Sequence, residues 1–537
     1  MLTDRKIQIL ECIILIAIAF FPILFNYPYR VNIFLSWEGA YRLYLGQLPY
    51  KDFGIPMGYA YWIIPAIFFK IFGPFLYTLI KAQVFINLIS GFSFRHIIKE
   101  LEVKAPIRLI AIVVFSLSYT LFNFWPWYNH SVIVIQLLSF AFLISAFKSE
   151  RLKQIILIFF ASFFMFYSFF IKQDGGALGF MISMGLVLYY TVFYRNLKLL
   201  ILYTGFFIAT AIVFIFPFLN HDFLYWFNYG QDPHYSRVNV IDIVNAFFYG
   251  SQWIKFYSIV IFVILIIDIR NSGGIKLFMN KFNDILFYLL MIGILIEVSI
   301  FQVTSYTPPN NNVFFHSFAT AFILYKIKIP LSLHRMKVLF SAIFLVLIWW
   351  SGTYYKYIDR ILLKFIPKIN EQPENVISKN TYVINKIDTS YVNIPMSEWT
   401  LNTFMVFKNI KMPKPTIDGI KKLNDLIDKD DKVLNMTELT PLAYELNFKL
   451  FTNQPLWYHK NVSIFDKEIA NLKMKINSYQ YDVVLFEVIP YLNNFYPEEL
   501  RNELKDKYIL NFSFIAPRRP TDATIEVYLK PNIKSLD

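Results

Sequence analysis

The sequence is poor in cysteine and in charged residues. Cys12 is the only cysteine, so no disulfide can form within the chain. Charged residues make up only 16% of the 537 positions, whereas 56% are hydrophobic, and the mean hydropathy is +0.46. This balance excludes an ordinary soluble enzyme and indicates a membrane protein.

Several functional motifs are also missing from the sequence. There is no G-x-x-x-x-G-K-S/T phosphate loop, which argues against an ATP-driven pump. No His/Cys cluster has the spacing of a zinc site. A Trp-Trp-Asp signature is absent after residue 352, and Trp349-Trp350 is followed by Ser351 inside an apolar run. En bloc transfer of an oligosaccharide to asparagine is therefore not expected.

Apolar runs dominate the first 352 residues. About eleven of them approach the 20 residues that cross a bilayer core of about 30 Å. They lie at 8–26, 75–97, 108–122, 131–147, 154–171, 177–194, 199–219, 252–269, 285–303, 313–329 and 337–352. The first run has a basic start but no small-residue cleavage site, so we interpret it as a retained signal anchor. Residues 58–73 are short and contain Pro65 and Lys70, which favours a helix along the outer surface.

Basic residues alternate from loop to loop. The chain has 51 Lys and Arg against 37 Asp and Glu, a formal charge of +14. The Lys and Arg residues collect in every second loop, the positive-inside pattern of membrane proteins, and not in a nucleic-acid-binding patch. This pattern predicts a cytoplasmic N-terminus in the cell membrane and an extracytoplasmic region from about residue 353.

The composition changes after Gly352 and becomes mixed and charged. Short apolar runs at 432–436 and 482–486 predict buried strands, and 524–529 alternates like an edge or final strand. The runs 417–427 and 497–507 predict helices. We therefore expect two domains: a transmembrane domain over 1–352, with a long first external loop at 27–74, and a small extracytoplasmic α/β domain over 353–537.

The first external loop carries two carboxylates among aromatic residues. Glu38 and Asp52 are fourteen positions apart in this loop. An inverting glycosyl transfer needs a carboxylate to take the proton of an acceptor hydroxyl while the sugar leaves its phosphate. Solvated loop charges or helix caps would explain the same residues without any catalysis.

The string from Trp37 to Pro56 resembles the first external loop of GT-C superfamily glycosyltransferases. Gly46–Phe53 reads G-Q-L-P-Y-K-D-F, and Phe72-Gly73 follows a proline-containing helix, in the order usual for bacterial members. These enzymes use polyprenyl-phosphate sugars, and the aminoarabinose transferases and protein O-mannosyltransferases belong to them. Trp37 stands where the commoner pattern has Asp, which makes Glu38 the expected base.

The resemblance implies a mainly α membrane protein with a GT-C-like helix bundle. It implies inverting transfer of a sugar from a polyprenyl-phosphate carrier to an envelope glycan, glycolipid or protein outside the membrane. Lys172-Gln173-Asp174 resembles a K-Q-x-G element of the same superfamily. Lys172 is expected near the donor phosphate, and Asp52 and Asp174 are expected to position substrate. A helix-end turn with a local ion pair would also explain Lys172 and Asp174.

Further substrate-binding candidates lie at external helix ends. Aromatic and polar side chains together suit sugar binding, and cations suit phosphate, although an aromatic belt, snorkelling or a structural histidine would explain them equally. These candidates are Tyr50, Lys81, Asp232, His234, Arg237 and His316. A divalent cation held by Asp52 and Asp174 is compatible with the sequence but not required by it, and no other cofactor is predicted.

Two other functions fit a hydrophobic chain with polar external ends. A transporter or flippase for a lipid-linked saccharide predicts internal repeats and broken helices, and no repeat is found in the sequence. A polysaccharide polymerase or ligase typically carries its large external loop between helices, whereas the large external part here is terminal. Both comparisons favour the transferase.

Overall fold

A computed structural model describes residues 2–30, 32–228, 238–305, 314–327, 332–352, 354–355, 358, 393–490 and 495–531. The chain forms two compact units. The first unit comprises Met1–Leu24, Gln83–Pro217 and Ser236–Leu362. The second comprises Phe25–Ala82, Phe218–Tyr235 and Leu363–Asp537.

The first unit is helical throughout its described residues. Its elements are helices, most of them apolar. They are α1 (Asp4–Phe20), α4 (Leu76–Glu100, from Gln83 onward), α5 (Ala105–Ser118), α6 (Tyr128–Phe147), α7 (Arg151–Phe169), α8 (Gln173–Tyr194), α9 (Lys198–Ile215), α11 (Val240–Asn245), α12 (Gln252–Asn271), α13 (Ile275–Met279), α14 (Phe282–Thr304), α15 (Phe315–Lys326) and α16 (Met336–Trp349). Helix α6 packs on α7, α7 on α9, α5 on α15 and α8 on α14.

Ion pairs of a buried glutamate connect α1 to α4 and α5 in this unit. The Glu11 carboxylate is fully buried and accepts from Nε of Arg95 at 2.7 Å and Nε of Arg108 at 2.8 Å. A buried carboxylate is stable only when paired and hydrogen-bonded, so this trio fixes how α1, α4 and α5 meet.

Eight helices are long and apolar enough to cross a membrane, counted over the described residues. Three of the predicted spans correspond to shorter helices, namely α5 with 14 residues, α15 with 12 and α16 with 14. A helix of 14 residues is about 21 Å long, less than a bilayer core of about 30 Å. The number of crossings therefore stays a prediction.

The second unit combines helices with three small sheets. Its helices are α2 (Ile33–Tyr44), α3 (Ile63–Phe72), the start of α4, α10 (Phe223–Trp226), α17 (Lys414–Leu426), α18 (Leu442–Glu445), α19 (Asp466–Asn477) and α20 (Glu498–Lys507). Its strands are β1 (Tyr27–Pro28), β2 (Phe53–Gly54), β3 (Thr400–Leu401), β4 (Ile410–Met412), β5 (Val433–Met436), β6 (Gln454–Pro455), β7 (Val483–Val488), β8 (Ile509–Ile515) and β9 (Thr524–Leu529).

The sheets join distant parts of the sequence. The largest has the order β5-β7-β9-β8, with β5 and β7 parallel and the other pairs antiparallel. In the second sheet β1 pairs with β4 in parallel and β4 with β3 antiparallel, and in the third β2 pairs with β6 in parallel. Strands of the first loop thus pair with strands formed by residues 400–455.

The predicted elements after residue 400 are confirmed. Strands β5, β7 and β9 and helices α17 and α20 lie where the patterns place them. Strand β9 is the last in sequence but central in its sheet, with β7 and β8 on either side. The two edge strands are β5 and β8, and the first residues of β8 are exposed. Strand β8 was not predicted.

The predicted helix in residues 58–73 is present as a 3₁₀ turn (Tyr59–Trp62) followed by α3. One face of α3 leaves Ile67, Ile71 and Phe72 exposed by 50%, 64% and 44%. Large apolar side chains grouped on one exposed helix face are typical of a helix in a membrane interface. The position of α3 along the outer surface stays a prediction that this face supports.

We predict that Gly39→Ala lowers the melting temperature of the purified protein. A Cβ at Gly39 would lie 2.1 Å from Cε2 of Trp62, whose ring is fully buried. Overpacking of this kind costs about 1–3 kcal/mol.

Gly185→Ala is the matched control, because a Cβ there meets no atom within 4 Å. Both glycines lie inside helices, so the gain in helix propensity is shared. Equal melting temperatures for the two variants, measured by scanning fluorimetry in detergent, would contradict the packing described for α2.

Candidate functional site

Helix α2 carries Glu38 and is held by its surroundings in the second unit. The helix begins after Asn32, whose φ is +71°, and the Asn32 N–H donates to Oε2 of Glu438 at 3.2 Å. The Tyr29 hydroxyl donates to the Glu438 carbonyl. Further along, the indole N–H of Trp37 donates to the carbonyl of Pro74 at 2.8 Å. All residues from Ile33 to Arg42 are buried, so this helix is fixed on every side.

Glu38 forms a buried ion pair with Arg42, one helical turn away. Nε and Nη2 of Arg42 both donate to Oε1 of Glu38, at 2.9 and 2.7 Å. Arg42 also donates through Nη1 to Oε1 of Gln47 and to the carbonyl of Phe451, each at 2.9 Å. The guanidinium thus makes four hydrogen bonds, which tie α2 to the following turn and to residue 451.

The second oxygen of the Glu38 carboxylate, Oε2, does not take part in the ion pair with Arg42. Within the part of the chain that the structure describes, Oε2 has no hydrogen-bond partner. Burial raises the pKa of Glu38 above its ordinary value, while the charge and hydrogen bonds of Arg42 act to lower it. A carboxylate anchored through one oxygen and open at the other can accept a proton.

Asp52 and Tyr50 shape the turn after α2. Oδ2 of Asp52 accepts from the N–H of Leu48 at 2.7 Å, and the Asp52 N–H donates to the Leu48 carbonyl at 2.8 Å. Tyr50 is buried with φ +64°, and its hydroxyl donates to the Met57 carbonyl at 2.8 Å. Both side chains stabilise the turn, and their predicted contacts with substrate stay predictions.

Lys81 lies on α4 within the second unit. Its Nζ is 4.3 Å from the centre of the Phe72 ring, at the exposed apolar end of α3. No carboxylate of the described residues lies within 4 Å of this Nζ. A cation over an aromatic ring without an acidic partner is suited to an external anion.

Lys172, Gln173 and Asp174 begin α8 in the first unit. The Lys172 Nζ lies 3.0 Å from Oδ2 of Asp174, and Ser305 at the end of α14 donates to the same oxygen at 2.8 Å. Oδ1 of Asp174 accepts from the N–H of Gly175 at 2.8 Å. The side chains of Gln173 and Asp174 are buried. Lys172 and Asp174 thus form a local ion pair at the start of a helix, as the structural alternative expects. Their predicted contacts with substrate stay predictions.

His316 is surrounded by aromatic rings in the first unit. Its Nδ1 lies 2.9 Å from the Tyr257 hydroxyl, and the rings of Trp253, Phe315 and Trp350 lie around it. The residue is 3% exposed. This packing accounts for the histidine structurally, and its role in phosphate binding stays a prediction.

Three predicted site residues, Asp232, His234 and Arg237, lie outside the described residues. Among those that are described, no group of three or more His, Cys, Asp or Glu side chains is placed to hold a metal ion. Asp52 serves the turn and Asp174 pairs with Lys172, so these carboxylates have other partners.

Arg42 is the site residue that sequence reasoning missed. It stands four positions after Glu38, the spacing at which acidic and basic side chains meet on a helix. Side chains four positions apart meet only on a helix, and the motif here predicts a loop, so the spacing alone does not predict the pairing.

The fold defines a class, the polytopic membrane proteins with a GT-C-like helix bundle and a terminal α/β region. No protein-family model and no curated protein matches this sequence. Two solved structures of ArnT from Cupriavidus metallidurans share the fold. The form bound to undecaprenyl phosphate gives a TM-score of 0.52 and the apo form 0.53, each at 9% identity over 97% of both chains.

The predicted GT-C-like fold is thus confirmed, and the chain is a multi-pass membrane protein. The arabinofuranosyltransferase AftD from mycobacteria gives a TM-score of 0.47 at 11% identity, with 98% of this chain aligned to 40% of that one. A score at that level establishes no common fold.

We predict that Arg42→Met is strongly destabilising, because it leaves the Glu38 carboxylate buried and unpaired. Breaking a buried pair from one side costs about 3–5 kcal/mol. The double variant Arg42→Met/Glu38→Gln should melt at a higher temperature than Arg42→Met alone, since no charge is then buried without a partner.

The double-mutant cycle is measured by thermal unfolding in detergent with Glu38→Gln as its fourth corner. Strictly additive effects would mean that the two side chains do not interact, against the distances of 2.7 and 2.9 Å.

Proposed function

We propose that this chain is a membrane glycosyltransferase that moves a sugar from a polyprenyl-phosphate carrier to an acceptor hydroxyl outside the cytoplasmic membrane. The observation that carries the proposal is the Glu38 carboxylate, anchored by Arg42 through Oε1 and open at Oε2. The likeness to ArnT, solved with undecaprenyl phosphate, supports the donor class. The motif around Glu38 supports the same assignment.

The proposed reaction inverts the anomeric carbon. Oε2 of Glu38 takes the proton of the acceptor hydroxyl, whose oxygen forms a bond to C1 of the sugar. The bond between C1 and the phosphate oxygen breaks, and polyprenyl phosphate leaves with the electron pair. Arg42 keeps the carboxylate in place and favours its ionised form, because its charge opposes the effect of burial on the Glu38 pKa.

We assign the donor phosphate to Lys81. Lys81 has a ring beneath it and no acidic partner among the described residues, and Phe72 beside it belongs to the exposed apolar face of α3. A lipid phosphate combines a negative headgroup with apolar tails, which this pairing of cation and apolar surface matches. The acceptor is an envelope glycan, glycolipid or protein.

The topology of the proposal follows the charge pattern of the loops. The N-terminus lies in the cytoplasm, and residues 353–537 lie outside together with the first loop. Strand pairing between β1 and β4 and between β2 and β6 supports this, because paired strands must be on one side of the membrane. Both pairs join the first loop to residues after 400.

We predict that Glu38→Gln lowers donor-dependent transfer by about 10²–10⁴-fold, the usual contribution of a general base. Transfer is measured in membranes with radiolabelled polyprenyl-phosphate sugars at matched protein abundance. Glu398→Gln, an exposed residue of the same unit, is the control and should retain activity. Full activity in Glu38→Gln would place the base elsewhere, with Asp52 the next candidate.

The same assay has an expected pH dependence. Glu38 acts as a base only when ionised, so the rate rises with pH through its raised pKa, and the acid limb lies above the ordinary carboxyl range of about 4.3. An acid limb at or below that range would contradict a buried base.

We predict that Lys81→Met raises the KM for the lipid-linked donor by about tenfold with a smaller change in kcat, because one charged contact to phosphate is worth about 1.5–3 kcal/mol. Lys70→Met on α3 is the control, as it removes a nearby exposed cation that contacts no ring or acid in the described residues. Equal KM values for both variants would remove Lys81 from the donor site.

A further inference from the structure

A cavity lies within the second unit, and no residue of α3 lines it. It has a volume of about 320 Å³ and is bounded by the turn around Tyr50, by α10, by β6 and by one face of α19. This size falls at the lower end of small-ligand pockets. None of the residues assigned above to the base or the donor phosphate lines it.

The cavity walls are fastened to one another. The Asn453 N–H donates to the Asp52 carbonyl at 2.8 Å, and the Leu456 N–H donates to the Gly54 carbonyl at 3.0 Å. The ring of Trp226 occupies the space where a Cβ of Gly54 would be, about 2.0 Å away. A pocket whose walls share strand pairing and close packing is preformed.

The charges around the cavity are unbalanced. Lys51, Lys467 and Lys475 line it together with Asp222 and Glu468. Glu468 already accepts from the Phe465 N–H at 3.0 Å and from the Tyr225 hydroxyl at 2.9 Å. No carboxylate of the described residues lies within 4 Å of any of the three lysine Nζ atoms.

Lys475 is the most buried of the three lysines. Its Nζ has one weak contact, 3.5 Å to the Asn453 carbonyl, and burial lowers its pKa. An anionic group bound in the cavity would give this ammonium an oppositely charged partner. Amide side chains of Asn453 and Asn471 and the aromatic ring of Tyr225 lie on the same walls. Amides bind hydroxyls, and aromatic rings pack on the apolar faces of sugars.

We infer that this cavity binds an anionic sugar unit of the acceptor glycan, with its carboxylate or phosphate at Lys475 and Lys51. The inference rests on the proposed glycosyl transfer, to which it adds the acceptor class. Phe53 connects the cavity to the proposed catalytic pair of Glu38 and Arg42. This residue lines the cavity, and the Arg42 guanidinium lies 5.5 Å from the centre of its ring.

The test uses the full-length protein in nanodiscs of neutral lipid and saturation-transfer NMR. Glucuronic acid, glucose 6-phosphate and glucose are the probes. We expect saturable binding of one or both anionic sugars, at least fivefold tighter than glucose, and the preferred anion distinguishes a carboxylate from a phosphate. Glucose binding as tightly as both anions, or no saturable binding, would overturn the inference.

Variants locate the binding to this cavity. Lys475→Gln should weaken the anionic probe at least fivefold, whereas Lys473→Gln on the same helix should change it by less than twofold. Lys473 faces α20, where it pairs with Glu499 at 3.5 Å, and it does not line the cavity. Lys51→Gln, in the turn around Tyr50, should also weaken binding of the anionic probe. Equal effects of Lys475→Gln and Lys473→Gln would overturn the inference.

The binding assay needs no lipid-linked donor, so its result is separable from that of the transfer assay. If the protein binds the anionic sugar but transfers no sugar, the proposed function is wrong and the anionic-sugar site is supported. If the protein transfers sugar but binds no anion at Lys475, the proposed function is supported and the acceptor site inferred here is wrong.

Discussion

The buried ion pair between Arg42 and Glu38 is the interaction on which the site depends. One guanidinium orients the carboxylate, holds the Gln47 side chain of the following turn and bonds to the carbonyl of Phe451. A buried charge without such partners would cost several kcal/mol, so the position of α2 and the chemistry of Glu38 are linked. The same pair leaves one carboxylate oxygen available, which is what a base in this place requires.

Residues after 400 complete the first loop in the second unit. Strands β4 and β6 pair with β1 and β2, and Glu438 bonds to Asn32 and Tyr29 at the start of α2. Glu438 is itself fixed, because Arg518 lies 2.8 Å from its Oε1 and 2.9 Å from Oε1 of Glu487. The region from 400 onward is therefore part of the scaffold of the predicted catalytic loop, in addition to any contact with an acceptor.

The helices and strands that could be predicted from the sequence are those whose hydrophobic pattern lies within one short segment. Apolar runs located the long helices, and short β-branched runs located β5, β7 and β9, because burial dictates those patterns. The turn built by Tyr50 and Asp52 was identified only as a motif, since its hydrogen bonds depend on backbone geometry. The cavity was not predictable, because Lys51, Asp222 and Lys475 meet there from three distant segments. The Arg42 contact to Phe451 spans 409 positions and has no local signal either.

The most direct test of the account is a single-turnover reaction of the purified protein in liposomes with a radiolabelled polyprenyl-phosphate sugar and an anionic glycan acceptor. The account predicts that one polyprenyl phosphate is released for each sugar transferred, with the opposite anomeric configuration in the product. If the sugar stays on its lipid while the lipid-linked sugar crosses the bilayer only when the protein is present, the chain is a transporter and the account is wrong.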